Sequence, residues 1–198
     1  MGSTLGVALL ASTTATVAVV VVVVAAFVVW TALAFNRLVR ERNLVAEGWS
    51  GIDVQLKRRS NLIPALVEVV KGYSRHERKL LTDIAELRNR SRSVKQLKER
   101  EESENALTDQ LKGLFALAEA YPQLKADRQF LRLAEQLSEI EDQLQMARRY
   151  YNGAVRNYNI RVESFPSNLV ARLFGFGRAE FFQVETATER AAPKVEVS

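Results

Sequence analysis

From Met1 to Asn36 the chain carries no charged side chain, and between Val17 and Phe35 only Thr31 interrupts an apolar run. This feature constrains the fold more than any other. Roughly 20 apolar residues at ~1.5 Å each cross a ~30 Å hydrocarbon layer, a length that a buried core helix rarely needs. Nine residues of the run are Val, modest helix formers in water. Lipid, however, leaves the backbone no partner except itself, so a transmembrane helix is predicted. Trp30 and Phe35 stand near its charged end, where rings favour the headgroup zone. A signal peptide cleaved at Ala32-Leu33-Ala34 is the competing reading. Against it stand the lack of Lys or Arg before the run and a length beyond the ~7–15 residues of a typical h-region. Arg37, Arg40 and Arg42 follow the span at once, with Lys57, Arg58 and Arg59 beyond. The positive-inside rule therefore predicts a single-pass protein with its N-terminus outside and its body in the cytoplasm.

The residues after Asn36 suffice for one ordinary soluble domain of the 198-residue chain, large enough to bury a core without staples. With no Cys, a disulfide framework, a zinc ribbon and a thiol nucleophile are excluded, and one His excludes imidazole-rich metal sites. The formal charge of +5 looks basic. Yet its signs alternate along the chain and form no Lys/Arg stripe, so nucleic acid is not an expected partner.

The body reads as helix throughout, because the stretches between its prolines lack strand-like alternation. Leu38, Val45, Trp49, Ile52, Leu56, Ile63, Leu66 and Val70 draw one apolar stripe at sums of three and four. Arg42 and Arg59 fall on that stripe, either with snorkelling heads or, as favoured here, as partners of carboxylates from a neighbouring helix. Pro64 is predicted to kink this helix and Gly72 to end it. A second helix is expected from about Ser74 along Leu80, Ile84, Leu87, Ser91 and Val94. The apolar-free stretch Lys98–Glu104 precedes a phase-shifted stripe of Leu107, Leu111, Leu114, Ala118 and Tyr121, which argues for a bend or loop near 97–105, one long helix with a solvated waist being the alternative. The last helix carries Phe130, Leu133, Leu137, Ile140, Leu144, Ala147, Tyr151, Ala154 and Tyr158 and should end at Ser164-Phe165-Pro166. Short connections favour an up-and-down antiparallel bundle, and three or four helices both fit.

No reaction emerges from the motifs. His76-Glu77 begins like a zincin helix, but Leu80 stands where a second imidazole is required, and Tyr73 denies a Glu-x-x-His pair. Phosphate-cradling glycine loops and the G-x-S-x-G elbow are absent from the sequence. Neither a catalytic residue nor a cofactor is expected. Tyr151-Asn152 and Tyr158-Asn159 repeat seven residues apart on one helix face. They are expected to be core rings whose hydroxyls reach the first helix, with Arg59 a candidate partner; the other reading is a partner-binding face. Phe165, Phe174, Phe176, Phe181 and Phe182 make the tail far more aromatic than a solvated linker. Ser167-Asn168 is predicted to cap a short helix there, stopped by Gly175 and Gly177. Docking on the bundle competes with a membrane contact through Leu169, Val170, Leu173, Phe174 and Phe176.

Asn36-Arg37-Leu38-Val39, the Trp49–Arg59 segment, Leu62-Ile63-Pro64, the Glu119–Ala126 turn, the Tyr-Asn repeat and Phe165-Pro166-Ser167-Asn168 resemble the LemA family of bacterial proteins. The likeness runs from about Asn36 to Phe182. It implies a single-span anchor in the inner membrane and an antiparallel four-helix bundle, with no catalytic residues to carry over. Some similar proteins are linked to magnetosome membrane formation. The chain divides into a short N-terminal segment (1–16), a transmembrane helix (17–35), a LemA-like bundle (36–164), an amphipathic Phe-rich tail (165–182) and a flexible C-terminus (183–198). The leading expectation is a non-enzymatic scaffold or organiser of the membrane whose partners are lipid and further copies of itself. The alternative is a regulatory or sensor subunit of a membrane enzyme or protease. Arg59, Pro64, Tyr151, Asn152, Tyr158 and Asn159 are the candidate structural or interface residues.

Overall fold

Helix propagates from the apolar run straight into the amphipathic stripe, because nothing between them breaks the backbone ladder. In the computed structural model, which describes residues 2–73, 77–94 and 96–182, helix α1 spans Gly2–Tyr73. It continues through Pro64 and ends one residue after Gly72. Among the described residues five more helices follow: α2 (Arg78–Ser93), α3 (Leu97–Glu119), α4 (Pro122–Lys125), α5 (Arg128–Glu163) and α6 (Ser167–Leu173). His76, the expected helix start at Ser74 and the segment 183–198 lie outside the described residues. The chain separates into two compact units, Met1–Val45 with Val155–Ala179, and Ala46–Ala154 with Glu180–Ser198.

The second unit is an up-and-down four-helix bundle. α1 and α2 run antiparallel: Val67 and Lys71 share a pocket wall with Arg78 and Leu81, and further along the Arg88 Nε–H donates to the Ser60 carbonyl at 2.7 Å. Leu80 faces Gly113 while the Ser91 hydroxyl meets Glu104, so α2 and α3 also run oppositely. Phe115 packs on Phe130, with ring centroids 6.1 Å apart, where α3 hands over to α5. α5 returns along α1, and at Gly48 an added Cβ would lie only 3.0 Å from the Tyr151 Cα. No other residue permits so close an approach of two helix backbones. One core cluster joins all four helices, with Ile63, Leu66 and Val70 from α1, Ile84 from α2, Leu107, Leu111 and Leu114 from α3, and Phe130 and Leu137 from α5. Asp127 caps α5, its Oδ1 accepting the amides of Gln129 and Phe130 at 2.8 and 2.9 Å.

Two expectations are corrected here. The predicted break at 97–105 instead falls between Ser93 and Leu97, and the charged stretch forms the first turns of α3. Its Glu104 is buried, which continues the Leu107–Leu111–Leu114 stripe backwards by one step of three. On α2 Leu81, absent from the expected stripe, joins the buried core with Ile84, and Leu80 packs half-buried against it.

The first unit holds the apolar run, the end of α5 and α6. From Val17 to Val29 the large side chains of α1 stay exposed, for example Val22 at 66% and Phe27 at 63%. Within the described residues this is one helix apolar and long enough to cross a membrane. Below it Leu38 is fully buried in a cluster with Tyr158, Val170, Ala171 and Phe176.

Candidate functional site

In the first unit α6 is made by its ends. The Ser167 hydroxyl donates to the Arg161 and Ser164 carbonyls at 2.7 and 2.9 Å. It therefore closes the last turn of α5, and Pro166, not a Ser or Asn side chain, occupies the N-cap of α6. This corrects the predicted Ser167-Asn168 cap. At the other end Gly175 takes φ +71°, and the Phe176 amide donates to the Ala171 carbonyl at 2.9 Å. That is a Schellman closure, which turns the chain back and buries Phe176 against the helix it leaves. Of the five residues expected at lipid, Val170 and Phe176 are buried, because α6 packs its own apolar side on Leu38 and Tyr158. Leu169, Leu173 and Phe174 stay 53%, 75% and 50% exposed. Phe174 sits edge-on to Phe35, centroids 4.9 Å apart, and borders a shallow apolar groove with Phe27, Val28 and Thr31 of the span. Phe165, in the turn before α6, is 79% exposed.

The Tyr-Asn repeat serves the backbone of the chain that follows α6. In the first unit the Asn159 side chain donates to the Ala179 carbonyl and accepts the Ala179 amide, both at 2.9 Å. In the second, Asn152 does the same to Phe182, at 2.8 and 2.9 Å. A carboxamide offers one donor and one acceptor in the spacing of a peptide group, so each Asn replaces a strand neighbour for one residue. The Tyr151 hydroxyl donates to the Glu180 carbonyl at 2.8 Å, rather than to Arg59 or another group of α1. Its ring lies edge-on to Trp49, centroids 5.9 Å apart, and Phe182 lies against the same Trp49 at 6.1 Å. Burial pushes the Tyr151 hydroxyl up in pKa, with the Glu180 and Glu101 carboxylates adding to it.

Arg59 forms the polar centre of the bundle. Its side chain is fully buried on the stripe between Leu56 and Ile63. One guanidinium nitrogen meets Glu141 at 2.5 Å and Thr108 at 2.9 Å; the other pairs with Glu104. Burial alone pushes this guanidinium down, but the Glu104 and Glu141 carboxylates overcompensate and hold its pKa above the ordinary value. Arg148, also buried, is pushed down by burial and by the nearby Arg59 charge, and its guanidinium stacks 4.9 Å above the Phe182 ring. Arg42 shares the stripe with Arg59 but is exposed and lies 5.3 Å over Phe176 in the first unit. Pro64 lies inside α1 between the buried Ile63 and Leu66. Sequence reasoning missed Glu104, although its spacing from Leu107 was a usable signal. It also missed Trp49, Arg148 and Phe182 as a joint seat, for which no local signal exists. Chemically the centre holds neutralised carboxylates bridged by one guanidinium, an arrangement suited to fixing helix register.

Residues 48–197 match the profile of the LemA family. The chain belongs to the LemA family. A LemA protein of Metamycoplasma hominis is 26% identical over 149 residues, covering 75% of this chain and 68% of that protein. The magnetosome protein MamQ 2 of Paramagnetospirillum magneticum is 36% identical over 74 residues, 37% of this chain and 27% of its own length. MamQ of Magnetospirillum gryphiswaldense is 21% identical over 188 residues, 82% and 69% of the two chains. This LemA-family chain thus combines a membrane-length apolar helix with a helical bundle and is a membrane-associated protein.

Proposed function

We propose that this protein is a non-enzymatic, membrane-anchored scaffold that organises the bilayer around it by self-association, with the body in the cytoplasm and the N-terminus outside. The observation that carries the reading is the exposed apolar rim of the first unit. Leu169 and Leu173 on α6 and Phe174 at its C-cap are left largely uncovered, while Phe174 also sits edge-on to Phe35 at the base of the span. Soluble surfaces seldom gather such residues beside one another without a partner. Lipid is the partner that already borders Phe27 and Val28 if the span crosses a membrane. An anchor plus a flat-lying segment fixes how a protein sits on the bilayer, which a scaffold requires. Arg37, Arg40 and Arg42 beside the span support the orientation. The magnetosome names of two relatives agree with a role at an organised membrane.

Cross-linking in native membranes tests the self-association. Mostly self-adducts are expected, whereas one stoichiometric adduct to a membrane enzyme or protease supports a regulatory subunit in its place. The rim has its own test. Leu173→Asp with Phe174→Asp should leave helicity unchanged and lower the depth to which a spin label at residue 169 of the full chain enters vesicles. Unchanged depth in a folded double variant removes α6 as a membrane contact.

A further inference from the structure

The first unit contains a groove of about 920 Å³ between α1 and the turn joining α5 to α6. Its α1 wall is one stripe, Trp30, Leu33, Arg37 and Arg40, spaced by three, four and three residues. The polarity of that stripe reverses between Leu33 and Arg37, over roughly 6 Å of helix. Opposite stand Phe165, with 79% of its surface open, and Ile160, with 54%. The one carboxylate of the groove, Glu41, is already paired with Arg161 at 3.3 Å. Arg37 and Arg40 have no ion-pair or hydrogen-bond partner among the described residues, so the groove keeps two uncompensated cations. Its other polar side chains include the amides of Asn36 and Asn157, while the Ser167 hydroxyl is spent on backbone carbonyls.

We propose that this groove binds one anionic phospholipid, its phosphate held by Arg37 and Arg40 and its acyl chains lying along Trp30, Leu33 and Phe165. The proposal rests on the membrane reading above and adds a ligand to it. The shared chemistry with free phosphate is the anion itself. A free anion would leave Trp30, Leu33 and Phe165 uncovered, whereas a phospholipid satisfies both halves in the order in which the stripe presents them. Two guanidinium groups one turn apart offer several donors to one phosphate.

The test uses the full chain released from mixed micelles of phosphatidylglycerol and phosphatidylcholine, with retained lipids counted by native mass spectrometry. Wild type is expected to prefer phosphatidylglycerol by roughly tenfold or more, the order set by two arginines at a lipid surface. Arg37→Gln with Arg40→Gln should bring the ratio close to one. Arg132→Gln with Arg156→Gln removes the same charge from exposed sites outside the groove and should leave it unchanged. Equal loss in both pairs, or no loss in the first, overturns the proposal. Displacement of the lipid by millimolar inorganic phosphate assigns the site to a simple anion and overturns it as well. Both arginine pairs are exposed, and circular dichroism checks that the variants are folded. The two ideas fail separately: loss of lipid preference with cross-linking intact leaves the scaffold standing, and selective lipid retention without self-adducts leaves the groove standing.

Discussion

Arg59→Ala is expected to cost the bundle about 3–5 kcal/mol, the penalty typical of leaving one member of a buried ion pair alone. Glu104 decides the size of the effect, since its side chain is only 3% exposed. Glu141, at 28%, relaxes toward solvent and contributes less. The Ser91 hydroxyl still donates to Glu104 in the variant, but a neutral donor offsets little of a buried charge. Urea titration of the detergent-solubilised full chain, followed by helical circular dichroism, measures the loss. Arg58→Ala removes the adjacent, exposed guanidinium and should stay within about 0.5 kcal/mol of wild type. Arg59→Met combined with Glu104→Leu should regain most of the loss, because a packed apolar pair replaces a buried ionic one at little cost. If Arg59→Ala shifts the midpoint no more than Arg58→Ala does, the centre is not what holds α1, α3 and α5 in register.

Tyr151→Ala should be comparably severe, at about 3–5 kcal/mol, as truncations of buried aromatic residues are. Tyr151 is 5% exposed and its ring contacts Trp49, so its removal opens a cavity where Gly48 lets α1 approach α5. Tyr151→Phe separates the hydroxyl from the ring. It removes only the bond to the Glu180 carbonyl and should cost about 0.5–1.5 kcal/mol. Trp49 fluorescence reports the loss directly, since Tyr151 and Phe182 both lie against that indole. A Tyr151→Ala protein that melts like wild type yet loses its cross-linked partners would move Tyr151 from the core to an interface.

Some of this protein is written in local periodicity. The apolar run is long enough to span because no charge interrupts it before Arg37, and that needs no tertiary information. The heptad-like stripes of α1, α3 and α5 likewise announce which side chains enter the core, and Ile63, Leu111 and Leu137 are buried accordingly. Four helices instead of three was legible only through family resemblance. The charge-rich stretch 97–105 reads as a loop until a buried Arg59 is there to neutralise Glu104. A carboxylate looks solvated in sequence, and only a cation from a helix 45 residues away makes its burial tolerable. The Tyr-Asn repeat shows the same divide. Its spacing puts both pairs on one face of α5, but the partners are backbone groups of Ala179, Glu180 and Phe182. Backbone groups are the same in every sequence, so no pattern of residue types points to them. For the tail, composition established that Phe-rich chain must find an apolar surface. Which rings found protein and which stayed open was settled by the turn at Gly175, which folds Phe176 inward and leaves Phe174 and Leu173 facing out. Periodicity and charge act over a few residues and are therefore present in the sequence itself, whereas pairing between distant segments depends on packing that exists only once the helices have met.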